Sequence, residues 1–167
     1  MIPVKVAKVG LDSASNTHVV LLQELEGDRV LPIWIGRPEA ESIAVHLKGV
    51  RRERPMTHDL CHALITGLGA TLRRVQVTHV QDATFFAELH LVRGGSPPVL
   101  VDARPSDAIA IALRLDAPIY VHESLLGGDL EEGLPERAAH ADVALSAEQL
   151  QRTLEQMRPE DFGKFSF

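Results

Sequence analysis

The stretch VLVDARPSDAIAIALRL, Val99 to Leu115, decides how the rest of the chain is read. Three apolar residues, Val99-Leu100-Val101, pass into the charged segment Asp102-Ala103-Arg104-Pro105-Ser106-Asp107, and a second apolar run follows from Ala108 to Leu113. The first run has the β-branched character of a strand, and the second has the alanine and aliphatic content of a helix. Pro105 suits a first helical turn, where its missing N–H is not needed. Ser106 and Asp107 follow it and can accept hydrogen bonds from free first-turn N–H groups, complementing the helix dipole. The stretch is therefore a strand-to-helix corner. Strand and helix are expected in the interior, with the acid-and-guanidinium group at their rim. Ala108, Ala110 and Ala112 let the helix approach its neighbours closely.

Upstream, Ile2, Val4 and Val6 alternate and then slip in phase toward Val9 and Leu11, which predicts a strand with a bulge at Gly10. Thr17 to Leu25 and Arg29 to Ile35 read as two more strands, so the three form an antiparallel meander. Pro32 places the third strand at a sheet edge or at an irregularity. Pro38 to Leu47 reads as a helix. Thr57 caps another, whose apolar positions Leu60, Cys61, Leu64, Ile65 and Leu68 make one stripe that Gly67 and Gly69 end. Leu72 to Val80 and Thr84 to Val92 form a hairpin around Gln81-Asp82-Ala83, with Phe85, Ala87, Leu89 and Leu91 on one face. Pro118 to Val121 is a short last strand. These elements define a domain over residues 1–126. Residues 127–145 read as an acidic linker. Residues 146–158 read as a helix, with Ser146 and Gln149 as a capping box and Leu150, Leu154 and Met157 as a narrow stripe.

A chain of 167 residues buries roughly 70% of the surface its unfolded form exposes, enough for a real core. No uncharged apolar run reaches the ~18 residues of a membrane span, and the N-terminal residues lack the pattern of a signal peptide. The expectation is a cytoplasmic protein without a membrane partner. The single cysteine, Cys61, excludes an internal disulfide and a multi-cysteine zinc site. Residues 1–122 carry 13 acidic and 13 basic side chains, and residues 123–167 carry 10 and 4, so the net charge of -6 sits in the C-terminal part. A neutral body lacks the strongly basic footprint of an avid nucleic-acid binder. Contact with nucleic acid would use a local patch.

The opening corner has an echo. IWIGRPEAESIAVHL, Ile33 to Leu47, repeats its order of strand, hinge, Arg-Pro, small or acidic residue and Ile-Ala helix. Arg37-Pro38 matches Arg104-Pro105. The echo is either coincidence or the duplication of a β-α unit. Together, LPIWIG, EAESIA, RPMTHDL, GATLRRVQVTHVQDATFFAEL and DARPSDAIAIALR with APIYV resemble the bifunctional nuclease domain family. The resemblance covers about residues 4–126. It implies an α+β fold, a mostly antiparallel sheet with helices packed on it, and a homodimer or higher homo-oligomer. It also implies nuclease activity toward RNA and DNA.

The corner residues support two accounts. In the structural one, Asp107 caps its helix and Arg104 bridges Asp102 or a carbonyl. In the functional one, the corner is a phosphodiester site. Asp102 and Asp107 hold Mg2+ or Mn2+, with Glu88 as third carboxylate, while Arg104 grips phosphate in a bidentate manner. Glu39 and Glu41, in the echoing corner, are further candidate acids. THDLCH places His58 and His62 four residues apart beside Asp59. His58 is a candidate general base, because an unperturbed imidazole titrates near neutrality. Arg51, Arg52 and Arg54 form the densest basic run and are the candidate contacts to a nucleic-acid backbone. With Asp102, Arg104, Asp107, Glu88 and His58 as the site, the resemblance implies metal-assisted cleavage of RNA and single-stranded DNA with little sequence preference. A non-catalytic oligomeric module that binds a nucleotide, nucleic acid or protein is the alternative.

Overall fold

Strand pairing begins at the N-terminus with the anticipated meander. In the computed structural model the described residues are 1–12, 16–50 and 52–126. β1 (Ile2–Asp12), β2 (Thr17–Glu24) and β3 (Val30–Ile35) pair antiparallel in sequence order. The β1–β2 register shifts between Val6 and Lys8, so the bulge is at Ala7. Gly10, where the sequence suggested it, pairs regularly with Val19. β3 forms one edge of the sheet, which is where a strand tolerates a residue such as Pro32 that has no N–H.

β4 (Ala70–Gln81) and β5 (Thr84–Arg93) make the expected hairpin, with Gln81 opposite Thr84 across the two-residue turn Asp82-Ala83. β6 (Val99–Ala103) adds to β5 and forms the other edge. β7 (Ile119–Val121) joins the halves, lying antiparallel to β1 and parallel to β4. The order is β3-β2-β1-β7-β4-β5-β6 in one seven-stranded, curled sheet. The fold is α+β with a mixed sheet: mostly antiparallel, with one parallel pair where β7 returns beneath the helices.

α1 (Arg37–Leu47), α2 (Thr57–Gly67) and α3 (Pro105–Arg114) pack on the sheet, and α3 touches both other helices as well as β4 and β5. Its small residues permit this. Ala108, Ile109, Ala110 and Ala112 are fully buried, and they meet Ile43 of α1 and Val75, Val77 and Ala87 of the sheet in one core. Gly49 and Gly69 end α1 and α2 with positive φ, the left-handed conformation favoured one residue past a helix.

Three expectations change on folding. β6 is not interior: Val99, Leu100 and Val101 are exposed, because nothing pairs with its outer side among the described residues. The apolar stripe of α2 divides, with Cys61 and Ile65 on the core while Leu60, Leu64 and Leu68 face out. Met56, not Thr57, is the N-cap of α2. The two Arg-Pro corners lie at opposite sheet edges, and Gly36 caps α1 where Arg104 caps α3; duplication is not shown by this. The linker at 127–145 and the helix at 146–158 lie outside the described residues.

The hairpin turn yields a test. Asp82 and Ala83 both hold positive φ, 48° and 57°. Aspartate tolerates that region, whereas an alanine Cβ there costs about 1 kcal/mol. Ala83→Gly is expected to stabilise the protein by roughly 0.5–1 kcal/mol, with part of the gain offset by glycine's greater unfolded-state freedom. Urea unfolding followed by circular dichroism measures this, as a higher midpoint at unchanged slope.

Candidate functional site

Asp107 is the one residue between Pro105 and Ala112 that α3 does not bury. It stands on the first turn, where the chain leaves β6, and its carboxylate turns toward α2. His58, on the first turn of α2, is only 8% exposed. Its Nε2 lies 3.1 Å from Asp107 Oδ1, and its Nδ1 lies 2.8 Å from Ser42 Oγ of α1. Arg104 donates from Nε to Asp107 Oδ2 at 2.7 Å and from Nη2 to Asp107 Oδ1 at 3.0 Å. The same Nη2 reaches Glu39 Oε1 of α1 at 2.7 Å. At the far end of α3, Arg114 donates to Ser42 Oγ at 3.0 Å, to Asp59 Oδ1 at 2.6 Å and to the Ala110 carbonyl at 2.9 Å. One polar chain, Glu39–Arg104–Asp107–His58–Ser42–Arg114–Asp59, thus ties the three helices together.

The network assigns the protons. Burial works to raise the pKa of Asp107, but hydrogen bonds from Arg104 and His58, with the charges of both, outweigh it and hold the carboxyl below its ordinary value. An ionised carboxylate only accepts, so His58 carries its hydrogen on Nε2. In the neutral ring Nδ1 is then the acceptor, and Ser42 donates its O–H to it. Arg114, always a donor, supplies the hydrogen bond that Ser42 Oγ accepts. Every member is satisfied.

Beside this chain lies a cleft of about 470 Å3, whose lining includes Ser42, His46, Arg52, Arg54, Asp59 and Arg114. Arg52 is paired with Glu41 at 2.6 Å. Arg52 and Arg54 of the basic run therefore border the same cleft as Ser42. The side chain of Arg51 is not among those described.

Asp102 and Glu88 are elsewhere. They sit opposite each other on β6 and β5, one position from the pair Ala87–Ala103. Ala87 is fully buried in the core that the helices cover, and strand alternation turns its neighbours to the other face. Asp107 is on the helix side, with both oxygens already bonded. The expected ligand set of Asp102, Asp107 and Glu88 is therefore not brought together, and no group of three or more His, Cys, Asp or Glu among the described residues is placed to hold a metal ion. Near Glu88, His90 Nε2 is 3.3 Å from Oε2 but off the hydrogen-bonding axis, which leaves this buried nitrogen without a hydrogen-bond partner. Nor does Asp107 cap α3: no side chain does, and Arg104 occupies the cap position.

The model of the bifunctional nuclease domain matches residues 20–131. The chain belongs to the bifunctional nuclease domain family. Among its relatives, Uncharacterized protein Rv1829 of Mycobacterium tuberculosis is 41% identical over 162 residues, 95% of this chain and 96% of that one. Bifunctional nuclease 2 of Arabidopsis thaliana is 32% identical over 118 residues, 70% of this chain and 36% of its own length. Bifunctional nuclease 1 of japonica rice is 28% identical over 116 residues, 68% of this chain and 35% of that protein. The chain thus spans about a third of the plant nucleases and nearly all of the mycobacterial relative.

Of the candidate residues, this bifunctional nuclease domain brings Asp107, Arg104 and His58 together, with Glu39 beside them, and leaves Asp102 and Glu88 apart. Ser42 and Arg114 were not singled out in the sequence. A signal existed, since Asp107 and Arg114 are seven residues apart and so share a face of α3. Ser42 had none, because its partner His58 comes from another helix.

The paired carboxylates set an acid limit. Burial opposes the charge of Asp59, while Arg114 and the Met56 N–H, which donates to it at 2.8 Å, lower its pKa overall. A carboxyl held low in the folded state contributes stability that is complete above the unfolded value, about 3.9 for aspartate, and vanishes as pH falls through the folded value. Urea unfolding at pH 7 and at pH 2.5 should show the parent more stable than Asp107→Asn or Asp59→Asn at neutrality. The difference should close in acid.

Proposed function

We propose that this chain hydrolyses phosphodiester bonds of RNA and single-stranded DNA, with His58 as the proton-transferring group and the arginine-bordered cleft as the path of the strand. The observation that carries this reading is the buried imidazole, oriented by an ionised carboxylate on one side and connected to the cleft by a hydroxyl on the other. Asp107 fixes the tautomer and balances the imidazolium that forms when His58 takes a proton. Arg104, with Glu39, holds Asp107. Arg51, Arg52 and Arg54 supply backbone-phosphate contacts that carry no sequence preference. Membership of the nuclease family and the names of the plant relatives support the substrate class.

The divalent ion expected from the sequence finds no shared ligand set at Asp107, so no step is routed through it. Mg2+, Mn2+ and EDTA are arms of the test. A binding module without catalysis is the second reading. The complete engagement of Asp107 by Arg104 and His58 favours it, since a purely structural staple between helices would look alike. A cytoplasmic setting belongs to the proposal; no helix of the described residues is long and apolar enough to cross a membrane.

Self-association is also proposed. Its support is the outer row of Leu60 and Leu64 on α2 with Leu68 at its C-cap, and the β6 edge, unpaired among the described residues, with exposed Val99, Leu100 and Val101. Such an edge is a template for pairing with a second strand. Light scattering is expected to give a mass of at least twice the monomer, reduced to one protomer by Leu100→Lys. A monomeric parent refutes this.

The activity test uses rigorously purified protein on labelled RNA and single-stranded DNA. Cleavage is expected, with His58→Ala and Asp107→Ala slower by about 10²–10⁴ while retaining the parent's circular dichroism. Equal rates for parent and His58→Ala would assign the cleavage to a contaminant, and binding without cleavage would favour the module.

A further inference from the structure

The proposed function leaves one question of access. His58 is 8% exposed, and both of its ring nitrogens are already bonded, Nε2 to Asp107 and Nδ1 to Ser42. Neither a water nor a sugar hydroxyl can reach a lone pair on that ring without first displacing a partner. Asp107 cannot give way at small cost, because it is the acceptor for Arg104 as well. The remaining route from the imidazole to the cleft runs through Ser42, which lines the cleft and, when the ring is neutral, donates its hydrogen to Nδ1.

Resting on that reading, we infer that Ser42 is the nucleophile of this site, activated by His58 and Asp107, and that the reaction passes through a phosphodiester bond between Ser42 and the nucleic acid. A serine hydroxyl is a weak nucleophile unless an adjacent base takes its proton and a third group orients that base. The contacts Ser42 Oγ to His58 Nδ1 at 2.8 Å and His58 Nε2 to Asp107 Oδ1 at 3.1 Å meet both conditions. The constellation is recognised by geometry and roles, here distributed over three helices. Arg114 adds a feature that an ordinary packing serine does not need. Its side chain is 6% exposed, and Nη2 donates to Ser42 Oγ at 3.0 Å, which stabilises negative charge on that oxygen.

The steps balance. Ser42 Oγ attacks phosphorus as its proton passes to His58 Nδ1. The bond from phosphorus to one sugar oxygen breaks, and that oxygen leaves as an alcohol with the proton from His58. Water then attacks the phosphorus of the seryl diester and gives a proton to His58. The Ser42 Oγ–phosphorus bond breaks, and Oγ recovers a proton from the imidazolium. The net change is one phosphodiester and one water converted to a phosphomonoester and an alcohol. No step uses a 2′-hydroxyl, so ribose and deoxyribose strands are equivalent to the chemistry. Arg114 assists Oγ both as attacking and as leaving group.

The test separates nucleophile from nuclease. The full chain is treated with a fluorophosphonate, which phosphonylates activated serines, and separately with a labelled single-stranded oligonucleotide quenched in acid. Adducts are located by mass spectrometry. The expected result is modification at Ser42 by both reagents, abolished in Ser42→Ala and slowed at least about 10²-fold in His58→Ala. Fluorophosphonate modification of Ser42 in a protein that cleaves neither RNA nor DNA keeps the nucleophile and overturns the nucleic-acid substrate. Cleavage that depends on His58 while Ser42 stays free of both adducts overturns the nucleophile and leaves the nuclease. Absence of both adducts overturns the inference whatever Ser42→Ala does to the rate, so a folding defect in that variant cannot shelter it.

Discussion

A carboxylate on the first turn of a buried helix must find hydrogen-bond donors within reach, and the contact between Asp107 and His58 is how this protein meets that constraint. α3 lies between two helices and the sheet, so most of its surface has no water to turn to. Asp107 is held ionised by Arg104 from its own corner and by His58 from α2. An unpaired charge in that position would be strongly unfavourable. The pairing therefore fixes where α2 sits, and α2 in turn presents the imidazole to Ser42 of α1. Packing and the proposed chemistry share the same atoms.

The two arginines of α3 and its cap divide the work by exposure. The Arg104 side chain is 67% exposed and faces the side where Glu39 and Asp107 meet. The Arg114 side chain is 6% exposed and lies beside the cleft with Ser42. A guanidinium brought into a site by a buried helix is pre-organised, its hydrogen bonds set before any ligand arrives. That favours electrostatic stabilisation, which depends on dipoles and charges that need not reorient. The acids of β5 and β6, Glu88 and Asp102, belong to the opposite face and to a different environment.

Local patterns were legible where one element carried the whole signal. The meander, the β4–β5 hairpin and the turn at Asp82-Ala83 follow from alternation and turn chemistry that neighbouring residues share. The strand-to-helix corner at Arg104-Pro105 was legible for the same reason, but the partner of Arg104 was not: the sequence suggested Asp102 or a carbonyl, and the fold supplies Asp107 and Glu39. Misreadings arose where a neighbour far along the chain decided the outcome. Val99-Leu100-Val101 has the composition of an interior strand, yet among the described residues the sheet ends there. Leu60 and Leu64 fit one stripe with Cys61 and Ile65, yet α3 covers only part of it. Asp102 and Asp107 are close in sequence, yet the strand's alternation and the helix's start send them to opposite sides of the sheet.

Within the described residues the amino-acid order outlined the strands and helices, carried the resemblance to the bifunctional nuclease domain family, and made the corner from Asp102 to Asp107 charged. Those properties depend on periodicity, turn residues and motif order, all of which are local. The fold alone selected Ser42 and Arg114 from many unremarkable polar residues, separated Asp102 and Glu88 from Asp107, and gave His58 its two partners. The separation follows from strand alternation on β5 and β6, while the other outcomes need residues from α1, α2 and α3 within hydrogen-bonding distance, which the burial of α3 between the other two helices provides.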